Sequence, residues 1–241
     1  MKMYRMIKTC ILGYGYMIYM LPKLMRIRKK REYVDQTDFY QHIHLLTQRW
    51  AKFLLNLTGS TVKVEGIEKI PSGPVLLASN HQGNFDIPVI LGYLPKEAGF
   101  LAKQEMKKVP FASLWMEAMG CVFINRTDRR GTVQALKESI EQLKSGHSLI
   151  VFPEGTRSKG TELGLFKSGV IRMASDASVP IVPISINGTY QIMEENKGKK
   201  FCSATIKVTV HDPVYIDSTN PQLKTEVEAI RATIEKGLKV L

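Results

Sequence analysis

His81 and Asp86 stand five positions apart in Asn80-His81-Gln82-Gly83-Asn84-Phe85-Asp86, a spacing that can make a base with an orienting carboxylate. Imidazole is the one side chain that takes and returns a proton near neutral pH without environmental help. A turn through Gly83 and Asn84 would fold the Asp86 carboxylate back onto the imidazole Nδ1 and leave Nε2 free as the base. No G-x-S-x-G elbow occurs in the chain and Ser79 has no feature of an activated nucleophile, so the nucleophile must come from a substrate. About seventy residues later comes Phe152-Pro153-Glu154-Gly155-Thr156-Arg157. The planar fork of Arg157 suits a phosphate, and backbone N–H groups at the Gly155 turn suit an oxyanion. A tight turn would explain Pro153 and Gly155 but would give Glu154 and Arg157 no reason to be there. A His–Asp pair at this spacing arises by chance in roughly one chain in seven, so the hexapeptide carries more weight than the pair.

Chemistry of this kind needs rigid elements to aim it. Both segments follow short apolar runs, Pro74–Ala78 and Ser148–Phe152, which places them where strands end and loops begin in an α/β domain. Arg126 closes Val122-Phe123-Ile124-Asn125-Arg126 and Lys103 closes Phe100-Leu101-Ala102-Lys103, so two further cations follow apolar runs in the same way. Strands are expected at Thr61–Val64, Val75–Ser79, Phe100–Ala102, Val122–Asn125, Leu149–Phe152, Ile181–Asn187 and Thr205–Val210. Their alternation with helical patterns predicts an α/β fold: a central, mostly parallel or mixed sheet flanked by helices. The clearest helix covers about Thr132–Ser145, with Val133, Leu136, Ile140 and Leu143 on one face and Gly146 as its stop. Another covers Gln222–Leu238. Pro180 and Pro183 flank a β-branched segment and imply an edge or a bulge, because proline cannot donate to a ladder.

The N-terminal part reads differently. Thr9–Pro22 is uncharged and mainly apolar, shorter than the roughly twenty residues a spanning helix needs. Ile7, Ile11, Tyr14, Ile18, Leu21 and Met25 recur at helical spacing, and Lys23, Arg26, Arg28, Lys29, Lys30 and Arg31 follow. That combination predicts a helix lying in a membrane interface with a basic tail reaching anionic headgroups. A second amphipathic helix runs through Phe39, Ile43, Leu46, Trp50, Phe53 and Leu57, to be used for core packing, membrane contact or both. Residues 1–58 are therefore expected to form a membrane-associating pair of amphipathic helices and 59–241 the catalytic domain. The net charge of +12 calls for an anionic partner. Nucleic acid is disfavoured, for no recognition motif is present and the cations gather after the apolar stretch and at strand ends. Cys10, Cys121 and Cys202 show neither a disulfide framework nor ligand spacing, so a reducing compartment and no metal are expected.

Asn80-His81 with Asp86, then Val122–Arg126, then Phe152–Arg157 with Ser158, then Val179–Ile184, resemble in order and spacing the four blocks of the glycerolipid acyltransferase family, most of all its bacterial lysophosphatidate acyltransferases. Gly83 departs from the serine common in that family. The resemblance implies transfer of a fatty acyl group from an acyl thioester to the 2-hydroxyl of lysophosphatidate, giving phosphatidate for phospholipid synthesis. It implies His81 as the base and Asp86 as its orienter. Arg126 and Arg157 would then hold the glycerol phosphate, with Lys103 and Thr156 as further substrate contacts. Glu154 would position the acceptor hydroxyl or an arginine, and the Gly155 region would meet the oxyanion. No cofactor is required; acyl carrier protein or coenzyme A would carry the acyl group, and the enzyme would sit peripherally or monotopically on the cytoplasmic face of the cell membrane. Glycerol 3-phosphate or another lysophospholipid as acceptor, a noncatalytic anionic-lipid binder and a hydrolase are the alternatives.

Overall fold

The computed structural model describes residues 2–217, 219 and 221–239. In chain order its elements are α1 (Lys2–Tyr19), α2 (Leu21–Lys29), α3 (Gln36–Thr58), β1 (Thr61–Glu65), β2 (Leu76–Ser79), α4 (Asp86–Tyr93), β3 (Ala98–Lys103), α5 (Ala112–Ala118), β4 (Val122–Ile124), α6 (Arg129–Lys144), β5 (Ser148–Val151), α7 (Gly169–Ala177), β6 (Ile181–Asn187), β7 (Thr205–Val210) and α8 (Leu223–Lys239). Every strand read from the sequence is present. The seven strands form one sheet in the order β1-β7-β6-β2-β5-β3-β4. β6, β2, β5, β3 and β4 run parallel, β7 is antiparallel to β6, and β1 is parallel to β7. All five parallel strands thus deliver their C-terminal ends to the same edge, where loops from different parts of the chain converge.

Alternation along the strands builds a core on each face. Val75 and Leu77 point with Phe100, Ile150 and Val182 into a cluster shared with α3, α4 and α5, whereas Leu76, Ala78, Leu149 and Val151 point the other way into a cluster shared with α6, α7 and α8. α6 begins three residues before the expected Thr132, because Asp128 caps it by accepting the N–H groups of Arg130 and Gly131. Gly146, at φ +92°, ends it as expected, while Val133 lies exposed off the buried face. Pro183 in β6 and Pro180 just before it lie opposite a bulge in the partner strand and not at an edge. β6 lies between β7 and β2, and the step from Ile184 to Ile181 is matched by Val210 to Val214, one residue longer on the partner side.

The first of the two expected N-terminal helices is divided at Met20, with Pro22 in the first turn of α2, where its missing N–H leaves nothing unsatisfied. Of the expected stripe, Ile7, Ile11, Tyr14, Ile18 and Met25 are exposed. The opposite side of α1 rests on α3: Tyr16 stacks on Phe53 and the Trp50 indole donates to the Gly13 carbonyl at 3.0 Å. Gly13 permits this close approach, since a Cβ there would collide with Leu54. α3 uses its apolar stripe for packing, burying Phe39, Ile43, Leu46 and Leu55 in the core that it shares with α4. Among the described residues no helix is long and apolar enough to cross a membrane.

Candidate active site

β2 ends at Ser79, and the next residue extends its pairing with a side chain. The Asn80 amide donates to the Ile186 carbonyl at 2.9 Å and accepts the Ile186 N–H at 2.8 Å, holding the turn that follows against β6. His81 then stands at the open edge of the sheet, its Nδ1 2.6 Å from Asp86 Oδ2. The same oxygen accepts the Gly83 N–H at 2.9 Å, and Oδ1 accepts the Thr189 hydroxyl. Asp86 is fully buried at the start of α4. Three donors and the positive end of a helix offset the cost of burying its charge. With Asp86 accepting at Nδ1, the imidazole carries its proton there and presents Nε2 as an acceptor. The ring is 17% exposed and stacks on Phe152, with centroids 3.9 Å apart and planes 13° from parallel. One face is therefore covered while an edge stays open.

The hexapeptide leaves β5 beside this turn and is bonded to it at several points. Glu154 accepts the His81 N–H at 2.7 Å through Oε1 and the Gly164 N–H at 2.9 Å through Oε2. Ser158 N–H donates to the His81 carbonyl at 2.8 Å. Burial pushes the Glu154 carboxyl above its ordinary range, while the two N–H groups pull it back down. Glu154 therefore fastens two loops together through both carboxylate oxygens, a role the sequence did not reveal. Gly155 is bonded within the hexapeptide itself. At φ +70° it closes a turn in which its own N–H donates to the Phe152 carbonyl at 2.9 Å, so that group is not available to an oxyanion. Its carbonyl instead accepts Arg126 Nη1.

Arg157 Nη1 donates to Asn84 Oδ1 at 2.6 Å and lies 3.3 Å from Glu194 Oε1. His81, Asp86, Arg126, Glu154, Gly155 and Arg157 are thus brought to one edge, from loops after β2, β4 and β5. Thr156 is exposed in the same loop. Lys103, at the end of β3, pairs at 3.0 Å with Glu105, whose charge also acts on Arg126. It belongs to the rim, not to the bonded network. Sequence reasoning missed Thr189, Glu194 and Gln82, whose Oε1 accepts the Gly188 N–H at 2.9 Å. Thr189 and Glu194 follow β6 and lie more than a hundred positions from the residues they hold in the His81 turn, with no local pattern to mark them. Among the described residues no group of histidine, cysteine, aspartate and glutamate side chains could hold a metal ion.

Residues 61–187 match the family model described as Acyltransferase. The chloroplastic 1-acyl-sn-glycerol-3-phosphate acyltransferase of Arabidopsis thaliana is 35% identical over 71% of this chain and 48% of its own length. The 1-acyl-sn-glycerol-3-phosphate acyltransferase of Saccharomyces cerevisiae is 30% identical over 76% of this chain and 61% of its own. This chain spans about half the length of the first curated relatives it matches. The crystal structure of the 1-acyl-sn-glycerophosphate acyltransferase PlsC from Thermotoga maritima is 28% identical and superposes with a TM-score of 0.78, covering 98% of this chain and 96% of that one.

Proposed function

The chain belongs to the acyltransferase family, and on that premise we propose that it transfers a fatty acyl group from an acyl thioester to the 2-hydroxyl of 1-acyl-sn-glycerol 3-phosphate, giving phosphatidate. The observation that carries this reading is the 2.6 Å contact of His81 with a fully buried Asp86, set beside Arg126 and Arg157 from the loops after β4 and β5. His81 Nε2 takes the proton of the acceptor hydroxyl as its oxygen bonds to the thioester carbonyl carbon. The tetrahedral oxyanion then collapses, the carbon–sulfur bond breaks, and the departing thiolate takes the proton back from Nε2. No acyl-enzyme forms. Asp86 fixes the tautomer and steadies the imidazolium while it lasts. Arg126 and Arg157 receive the phosphate, and the cation of Lys103 draws it to the rim.

The donor is acyl carrier protein or coenzyme A carrying the acyl chain. Residues 1–58 attach the protein to an anionic membrane surface, on the cytoplasmic face, and 59–241 carry the reaction. The support is the exposed stripe of Ile7, Ile11, Tyr14, Ile18 and Met25, with the cations of α2 next to it. Purified protein given acyl carrier protein or coenzyme A thioesters and 1-acyl-sn-glycerol 3-phosphate should release free thiol and form phosphatidate. Thiol release that is unchanged by omitting the acceptor would reject transfer in favour of hydrolysis. A panel of glycerol 3-phosphate and other lysophospholipids sets the acceptor, and sedimentation with anionic vesicles tests the attachment.

A further inference from the structure

Glu194 reaches Arg157 in the anion clamp, and it does so at some cost. It opens a short 3-10 helix, Glu194–Asn196, in the loop after β6. Its side chain is only 3% exposed, yet Oε2 has no hydrogen-bond partner among the described residues. A carboxylate oxygen left bare in such a place is destabilising. Oε1 has two partners: the Asn84 N–H at 2.8 Å and Arg157 Nη1 at 3.3 Å. The bare oxygen lies against Gly83, where a Cβ would come within 2.5 Å of it. Gly83 is therefore the residue that makes room for Glu194.

We propose that Glu194 is a positioning residue that occupies the clamp in place of an acceptor phosphate. It holds Arg157 while the site is empty, and a phosphate monoester binds by taking Arg157 from it. This rests on the reading of Arg157 as a phosphate ligand. The exchange is chemically matched: a dianion with three acceptor oxygens offers the guanidinium a bidentate partner, where Glu194 offers one oxygen at 3.3 Å. The released carboxylate regains solvent for its bare oxygen. Because only the fraction of molecules with a free clamp binds acceptor, Glu194 weakens apparent phosphate affinity and lets the phosphate-bearing product leave. Asn84 ties the exchange to the His81 turn, since its N–H is held by Glu194 and its side chain by Arg157.

Steady-state kinetics of Glu194→Gln give the test. The acceptor KM should fall about three- to tenfold, the change expected on losing one partly buried ion pair. The donor KM should not move, and inhibition by inorganic phosphate should strengthen by the same factor. In an Arg157→Gln background the substitution should have no effect on acceptor KM. An acceptor KM that stays the same or rises would overturn the proposal, as would a fall that persists without Arg157. Should Glu194→Gln not fold, Glu194→Asp, which withdraws the carboxylate by one methylene, must lower acceptor KM, and an unchanged or raised value overturns the proposal equally. Calorimetric titration of each protein with inorganic phosphate separates the two readings. Tighter phosphate binding by the variant, with no acyl transfer by the unsubstituted protein, would sink the proposed function and keep the clamp. Acyl transfer with unaltered phosphate binding would do the reverse.

Discussion

Two histidines sit at opposite ends of the sheet in the same posture. His81, after β2, stacks on Phe152 at 3.9 Å; His147, before β5, stacks on Tyr40 at 3.7 Å. Their partners differ. His81 Nδ1 meets a buried carboxylate and the ring keeps an exposed edge, whereas His147 Nε2 meets the Met119 carbonyl at 2.9 Å and the residue is 4% exposed. Burial pushes the His147 imidazole down to about 4, so at neutral pH it is an uncharged packing group. Stacking and burial alone therefore do not make a base. What separates the two rings is a buried carboxylate at Nδ1 and a partly exposed edge, the two features the proposed mechanism draws on.

Loss of each ring in turn should separate the two histidines. His81→Ala should lower acyl transfer about 10²- to 10⁴-fold while leaving the melting transition nearly in place, and His147→Ala should do the opposite. Rates and thermal melts of the two variants side by side decide it; equal rate losses would remove the distinction. Next in size is Asp86→Asn, which keeps the volume but cannot hold Nδ1–H, with an expected loss of about 10²- to 10⁴-fold in kcat. A loss below tenfold would show that the tautomer is fixed by something else. Thr189→Val removes a single donor to Asp86 and should lower kcat about tenfold, with little change in acceptor KM.

The other end of the sheet sharpens the contrast through pH. His147 has a folded value near 4 against an unfolded value near 6.5, so the unfolded chain binds the extra proton first as pH falls. The stability from keeping it neutral is complete above about 6.5 and is lost as pH drops towards 4, to a total of about 3 kcal/mol. Urea unfolding at pH 7 and pH 4 should show the loss, and His147→Gln should flatten that part of the curve. A wild-type and variant pair with the same pH dependence would assign the titration elsewhere.

The strands were legible because each is a short β-rich run bounded by turn residues, and the position of the chemistry followed from the rule that parallel strands collect their loops at one edge. Asp86 was legible because its partner is five residues away across a glycine turn. Glu154 was visible as a residue but not as a tether, since its spacing does not reveal that it will meet the His81 and Gly164 N–H groups. Gly155 signalled a turn, and turn closure is what consumes the N–H assigned to the oxyanion. Thr189 and Glu194 were out of reach because the β6 loop meets the β2 loop only once the sheet has formed. The break between α1 and α2 was foreshadowed by Pro22, and the early start of α6 by the capping Asp128.

The measurement that bears most directly on the account is the rate of phosphatidate formation from 1-acyl-sn-glycerol 3-phosphate and an acyl thioester, compared between the unsubstituted protein and His81→Ala. Formation is expected from the first and a rate at least about a hundredfold lower in the second, with the variant still folded. Phosphatidate made by both at the same rate would contradict it.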